Sequence, residues 1–186
     1  MCYFITATLS ADAKIEKVFA VAKKYNFAWI EQNNTSVQKQ IDAGSSYFCT
    51  TMGQCDCGTL LGSANRYYKN SKNDFSSKIL NFRKKGWSET KIERWLSEKK
   101  DLSIKNESNS GNSKKFSEIE SWKNFVVEVL NSKFASKIGV LLHMYSGSIC
   151  TEPIELLGKI VIKLKNVNEE VFLTMYEDHL YEFVKS

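Results

Sequence analysis

Three thiols fall within nine residues in the run Cys49-Thr-Thr-Met-Gly-Gln-Cys55-Asp-Cys57-Gly58. A thiolate is both a nucleophile and a soft metal ligand, and a glycine-bearing turn allows such side chains to converge. A zinc or iron–sulfur centre needs about four soft ligands. Cys49, Cys55 and Cys57 offer three, with Cys2, Cys150, His143 or His179 available as a fourth. The spacings are C-x5-C and C-x-C, whereas structural zinc sites usually pair ligands as C-x2–4-C. Two other readings therefore stand beside metal binding. One is a redox or nucleophilic thiol centre; the other is inert packing, with Cys49 in a buried strand and two small residues in a tight turn. The expected metal ligands are Cys49, Cys55, Cys57 and Cys2, and zinc is the expected ion.

Cys2 has a second claim on chemistry. With Met1 removed, its thiol and α-amine would share one carbon, and an amine with a pKa of roughly 7.7–8.0 can act as a base. Met-Cys at the start of a strand resembles the opening of class II glutamine amidotransferases and related N-terminal-nucleophile hydrolases. That resemblance covers two residues and a strand, and implies Cys2 as nucleophile. Tyr3 follows Cys2 here, where the family typically has Gly soon after, and the chain holds no Asn-Gly pair for an oxyanion hole. The expected catalytic set is Cys2 or Cys57 as nucleophile and His143 as base. His143 shares a strand face with Leu141 and Tyr145, so its ordinary reading is a core histidine. His179, after Glu177 and Asp178, reads as a surface residue. His-Glu-x-x-His, EF-hand, Walker and Gly-x-Ser-x-Gly patterns do not occur.

The charge is unevenly placed. Of a formal net charge of +5, the stretch from Arg66 to Lys100 carries eleven Lys/Arg against four Asp/Glu. Cations alternate there with aromatics that can stack on bases, so Arg66, Lys69, Arg83, Lys84, Lys85 and Trp87 are candidate nucleic-acid contacts. The run from Lys85 to Leu96 resembles the first two helices of a helix-turn-helix domain in its Gly-x-Ser turn and the apolar pattern behind it. A recognition helix should follow closely, yet 103–115 is polar. Glu89, Glu93 and Glu98 interleave with the cations as on an ordinary solvated helix face. The segment reads first as a plain surface insertion or protein-contact element, with nucleic-acid binding beside it.

The elements that must position these residues follow from periodicity. Cys2–Leu9, Phe27–Ile30, Tyr47–Met52, Lys137–Tyr145 and Lys159–Lys165 read as strands, and Leu180–Val184 as another strand or a helix end. A helix is expected from Ala11 behind Ser10, and another behind a Ser117–Glu120 capping box. Asn168 should cap a short last helix, and 33–44 reads as a loop. The fold class is then α+β, or an α/β two-layer sandwich, with a mixed sheet of about five strands and helices packed on it. Residues 1–186 form one α/β domain. A basic helical insertion is expected over 66–116, ending in a flexible loop at 103–115.

With 42% hydrophobic and 12% aromatic residues, the chain can close a core and is not a disordered polymer. No apolar run approaches the roughly 20 residues needed to cross a bilayer. The opening lacks a basic leader, so the expectation is a cytoplasmic protein with reduced cysteines.

Overall fold

Cys2–Leu9 is rich in aromatic and β-branched residues and carries no charge, the composition of a strand covered on both faces. In the computed structural model it is β1, an interior strand of a six-stranded sheet. The structure describes residues 1–62, 83, 87–94 and 113–185, with side chains in the last stretch from 118 onward. The other strands are β2 (Ile30–Glu31), β3 (Ser46–Cys49), β4 (Lys137–Tyr145), β5 (Gly158–Lys163) and β6 (His179–Val184). Their order is β2-β3-β1-β4-β6-β5. Only β5 and β6 run parallel, so the sheet is mixed and the class is α+β. The sixth strand, beyond the five expected, is Leu180–Val184 with His179 added.

The chain divides into two compact units: Met1–Asn65 with Glu118–Ser186, and Arg66–Ser117. The whole sheet belongs to the first. In the second, 89–94 is helical and Ile92 is buried. Most of the expected helical insertion over 66–116, including residues 103–112 of its expected loop, lies outside the described residues.

Helices α1 (Ile15–Lys24), α3 (Ser113–Asn131) and α4 (Glu169–Leu173) supply the core on one sheet face. Val18, Val21 and Ala22 of α1 recur at helical spacing. Ile119, Trp122, Phe125, Val126 and Val129 do the same in α3, against Ile5, Leu9, Val140 and Leu142 of the strands. Phe27 seals the contact, its ring centroid 4.3 Å from that of Trp122. Asn168 caps α4 by accepting the Val171 N–H at 3.1 Å, as expected.

Three boundaries differ from the sequence reading. Ser10 does not cap a helix; its N–H extends the β1–β4 ladder to the Lys137 carbonyl at 3.2 Å, and α1 begins only at Ile15. α3 begins at Ser113, so Ser117–Glu120 lies inside the helix and 113–115 is helical rather than loop. The supposed loop 33–44 contains α2 (Thr35–Gln38), capped by Asn34, whose side chain accepts from the Ser36 and Val37 N–H groups.

Helix α2 covers the other sheet face together with the irregular segment 149–156. An irregular segment laid on a core must find partners for its backbone groups. Asn34 Nδ2 donates to the Ile149 and Glu152 carbonyls at 2.8 and 2.9 Å. Gln40 donates to the Ile154 carbonyl at 2.7 Å and accepts the Leu156 N–H at 2.8 Å. These two amides hold Glu152 at the C-terminal end of β4.

Candidate metal centre

β3 leaves β1 early. After the Thr6–Cys49 pair the ladder ends with the Thr50 N–H on the Ile5 carbonyl at 3.2 Å. Residues 52–54 swing out, exposing Met52, and the chain returns at Asp56. Asp56 then does what the missing strand would have done for β1. Its N–H donates to the Tyr3 carbonyl at 2.8 Å, and its carboxylate accepts the Ile5 N–H at 2.8 Å and the Thr51 hydroxyl. Asp56 is 6% exposed, and burial pushes its carboxyl above the usual range, against the hydrogen bonds from Thr51 and Ile5.

A residue pinned between two cysteines fixes both. The Cys57 thiol accepts the Tyr3 N–H at 3.2 Å, which locks the turn against the start of β1 beside Cys2. Behind it, the Thr59 N–H and hydroxyl both reach the Asp56 carbonyl, at 3.0 and 2.8 Å, and a helix starts at 60. Glu118 caps that helix by accepting the Leu60 N–H at 3.1 Å. Gly62 packs so tightly that a Cβ there would lie 2.0 Å from the Asp56 carbonyl oxygen. The position therefore tolerates no side chain.

The result is a three-thiol cluster. The sulfurs of Cys2, Cys55 and Cys57 all lie within 4.8 Å of one another, and all three residues are partly exposed. Their ionisation is differentiated. The Cys57 N–H donated to Cys55 lowers the Cys55 thiol below its ordinary value. Cys2 is raised, first by its hydrogen bond to Cys55, then by desolvation and the other sulfurs' charge. Donors fixed on sulfur favour the thiolate, the form that binds a metal.

Cys49 does not join them. It pairs with Thr6, four residues along β1 from Cys2, or about 13 Å at the rise of an antiparallel strand. It is 6% exposed and part of the sheet interior. Cys150 is exposed and donates to the Gln32 side-chain oxygen at 3.0 Å. The expected ligand set thus comes together as three of its four members.

His143 belongs to a second cluster. It shares its strand face with Leu141 and Tyr145, pairs with Phe4 on β1, and meets the Tyr145 ring edge-to-face at 4.5 Å. Its Nδ1 lies 2.5 Å from Asp178 Oδ1, and its Nε2 is 3.6 Å from Glu152 Oε1. Burial opposes a charge on the ring, but the Asp178 and Glu152 carboxylates outweigh it and hold the imidazole above its ordinary pKa. Asp178 sits at φ +60°, the left-handed region that Asp enters more readily than most residues. Glu177 lies beside it and receives the Tyr3 hydroxyl at 3.4 Å. His179 is half-buried rather than a plain surface residue, with Nδ1 2.9 Å from the Glu177 carbonyl oxygen.

Sequence reasoning missed the carboxylates that matter here. Neither Asp56 nor Glu152 was among the expected site residues. The signals were faint: an Asp between two cysteines, and a lone Glu behind the Ser146-Gly147-Ser148 turn.

Of the six candidate nucleic-acid contacts, Arg66, Lys69, Lys84 and Lys85 lie outside the described residues. Arg83 forms a two-pronged pair with Glu89, at 2.7 and 2.9 Å, and the Trp87 ring is covered by Lys91 Nζ at 4.3 Å. Both are engaged within their own segment. No described helix is long and apolar enough to cross a membrane.

Comparison of the chain with models of protein families, with curated proteins and with solved structures finds no match.

Proposed function

We propose that this is a metal-binding protein in which Cys2, Cys55 and Cys57 hold one thiophilic divalent ion, with zinc the preferred occupant. The observation that carries the reading is the convergence of three sulfurs, within 4.8 Å of one another, from opposite ends of a segment of more than fifty residues. Ligands on a tetrahedral zinc with Zn–S near 2.3 Å stand about 3.8 Å apart. The cluster need contract by about 1 Å at most to reach that spacing. The N–H donors on Cys57 and Cys55 are the kind of surrounding contact that orients metal ligands.

Among the described residues no further His, Cys, Asp or Glu completes the cluster. Three protein ligands and one open position are the pattern of zinc sites that activate water or polarise a carbonyl. Asp56 is not the fourth ligand, because its carboxylate is turned inward to Ile5 and Thr51. Its part is to hold the sulfurs on either side of it.

Native mass spectrometry beside the denatured mass tests the reading. One zinc per chain is expected, lost on chelation together with a fall in melting temperature. A chain that stays metal-free after incubation with zinc contradicts it. A second reading, a thiol-reactive centre, has the lowered Cys55 thiol in its favour; selective alkylation of Cys55 near neutral pH, in a chain that takes up no metal, is its signature. Use of 66–100 as a nucleic-acid or protein contact has the segment's charge behind it, and salt-dependent retention on nucleic acid tests it.

A further inference from the structure

We infer that the three-thiol cluster is also an oxidation switch, in which a low-molecular-weight disulfide joins Cys2 to Cys55. Loss of the bound ion follows, and that consequence rests on the metal-centre reading; the bond itself rests on the sulfur geometry. The three sulfurs lie within 4.8 Å of one another, and all five cysteines of the chain are free thiols. A metal centre uses all three sulfurs, whereas a disulfide uses two and leaves one over. Which two is decided by what holds each of them.

Cys57 is the sulfur left over. It accepts the Tyr3 N–H at 3.2 Å, which ties it to the backbone of β1. Joining Cys57 to Cys55 would also bend the chain at Asp56, the residue between them. The Asp56 N–H and carboxylate are the partners of the Tyr3 carbonyl and the Ile5 N–H, at 2.8 Å each, where β3 no longer supplies any. Cys2 and Cys55, by contrast, already meet, the Cys2 thiol hydrogen-bonding to the Cys55 sulfur. Joining them leaves Tyr3, Ile5 and Asp56 bonded as they are. Their sulfurs close from under 4.8 Å to the disulfide length of about 2.05 Å.

The chemistry is a pair of thiol–disulfide exchanges. The Cys55 sulfur attacks one sulfur of the small disulfide RSSR, whose S–S bond breaks. A Cys55–S–SR mixed disulfide forms and RS− leaves. Cys2 then attacks the Cys55 sulfur, forming the Cys2–Cys55 bond and expelling the second RS−. Each cysteine thiolate gives up one electron and one RSSR becomes two RS−, so electrons and charge balance. One thiolate, Cys57, remains, too few for a site that needs about four ligands. All three residues are partly exposed, which admits a small disulfide and leaves the product open to reductants. Exposed disulfides are characteristically the labile, regulatory ones.

Glutathione disulfide is the probe. The reduced full-length chain is loaded with zinc, its metal content is read by native mass spectrometry, and the probe is then added. A metal-free sample is treated alongside. Remaining thiols are alkylated, and the bond is mapped after cleavage before Asp56, which separates Cys55 from Cys57; fragmentation spectra separate Cys55 from Cys49. The expected result is one Cys2–Cys55 bond per chain in both samples, Cys57 alkylated, and one zinc released for each bond formed. Cys2→Ser should stop at the Cys55 mixed disulfide. A chain that takes no zinc at the first step brings down the metal reading and the release with it, and the metal-free sample still decides the bond. Three thiols left free, a bond that includes Cys57, or zinc retained after oxidation overturns the inference.

Discussion

Tyr3 stands between two clusters built on opposite principles. Its N–H reaches the Cys57 sulfur and its hydroxyl reaches Glu177, so one residue of β1 touches both. The thiol cluster is held by backbone: a turn pinned to the strand by amide hydrogen bonds, with Asp56 and Gly62 as the pieces that allow no substitute. The imidazole cluster is held by charge, with two carboxylates from separate loops closing on one ring. A backbone-built site is sensitive to shape and tolerant of salt. A charge-built site should behave the other way, because side-chain ion pairs weaken with screening while steric fit does not.

The largest difference is expected from Gly62→Ala. Its Cβ would overlap the Asp56 carbonyl, so the turn must shift, at a cost of about 1–3 kcal/mol by analogy with overpacked cores. Metal capture by the thiols should fall with it, while the His143 NMR signal stays as in the wild type. Denaturant unfolding together with zinc titration and that signal checks this. If the two clusters fail together, they are one cooperative structure rather than two.

Asp56→Ala comes next. The Ile5 N–H and the Thr51 hydroxyl both end on Asp56 Oδ2, so removing the carboxylate takes that partner from both. A buried unsatisfied group costs about 1–3 kcal/mol. The sulfurs should spread and zinc affinity drop, again without effect on His143. Unchanged zinc binding would show that Asp56 does not position the cysteines.

Glu118→Gln acts on the same turn through pH. Burial raises the Glu118 carboxyl, so the folded chain holds that proton more firmly than the unfolded one. Its stabilising contribution is complete below the unfolded value of about 4.3 and is lost as pH rises through the folded value. Gln can still accept the Leu60 N–H and has no proton to lose. The variant should flatten the fall in stability across that window, seen as a smaller difference between urea midpoints at pH 4 and pH 7. A slope equal to that of the wild type would place the titration elsewhere.

The smallest effect belongs to Tyr3→Phe. It removes only the hydroxyl on Glu177, a contact of 3.4 Å at the long limit, and leaves the N–H on Cys57. The loss should be about 0.5 kcal/mol, at the low end for a neutral hydrogen bond. The His143 NMR signal should shift slightly and zinc binding not at all. A large change in zinc affinity would mean that the ring, rather than the backbone, couples the clusters.

Much of the frame was legible in the residues. β1 announces itself by its uncharged aromatic and β-branched run and β4 by its near-continuous apolar one, Asn168 caps the helix it precedes, and the apolar stripe of α3 faces the core as its spacing requires. Two of the three converging thiols lie in one turn, and that too could be read. What could not be read depends on pairing register. Cys49 looked equivalent to Cys55 and Cys57 because it lies six residues from the nearer one, yet the Thr6–Cys49 pair carries it far along β1. Only knowing where β3 leaves the ladder separates them. The His143 partners come from segments 9 and 35 residues away, brought in by Asn34 and by a left-handed Asp178. No periodicity encodes such contacts. The Ser117–Glu120 pattern misled for a related reason: a capping box marks a start only where the preceding residues are not helical.

Cobalt titration of the reduced, metal-free chain tests the thiol centre most directly. Co2+ bound by thiolates absorbs strongly in the near ultraviolet through sulfur-to-metal charge transfer, and oxygen or nitrogen ligands do not produce that band. The account predicts that the band rises to a plateau at one cobalt per chain, falls in Cys2→Ser, Cys55→Ser and Cys57→Ser, and persists in Cys49→Ser and Cys150→Ser. Absence of the band, or its dependence on Cys49 or Cys150, would contradict the assignment of Cys2, Cys55 and Cys57 as a metal centre.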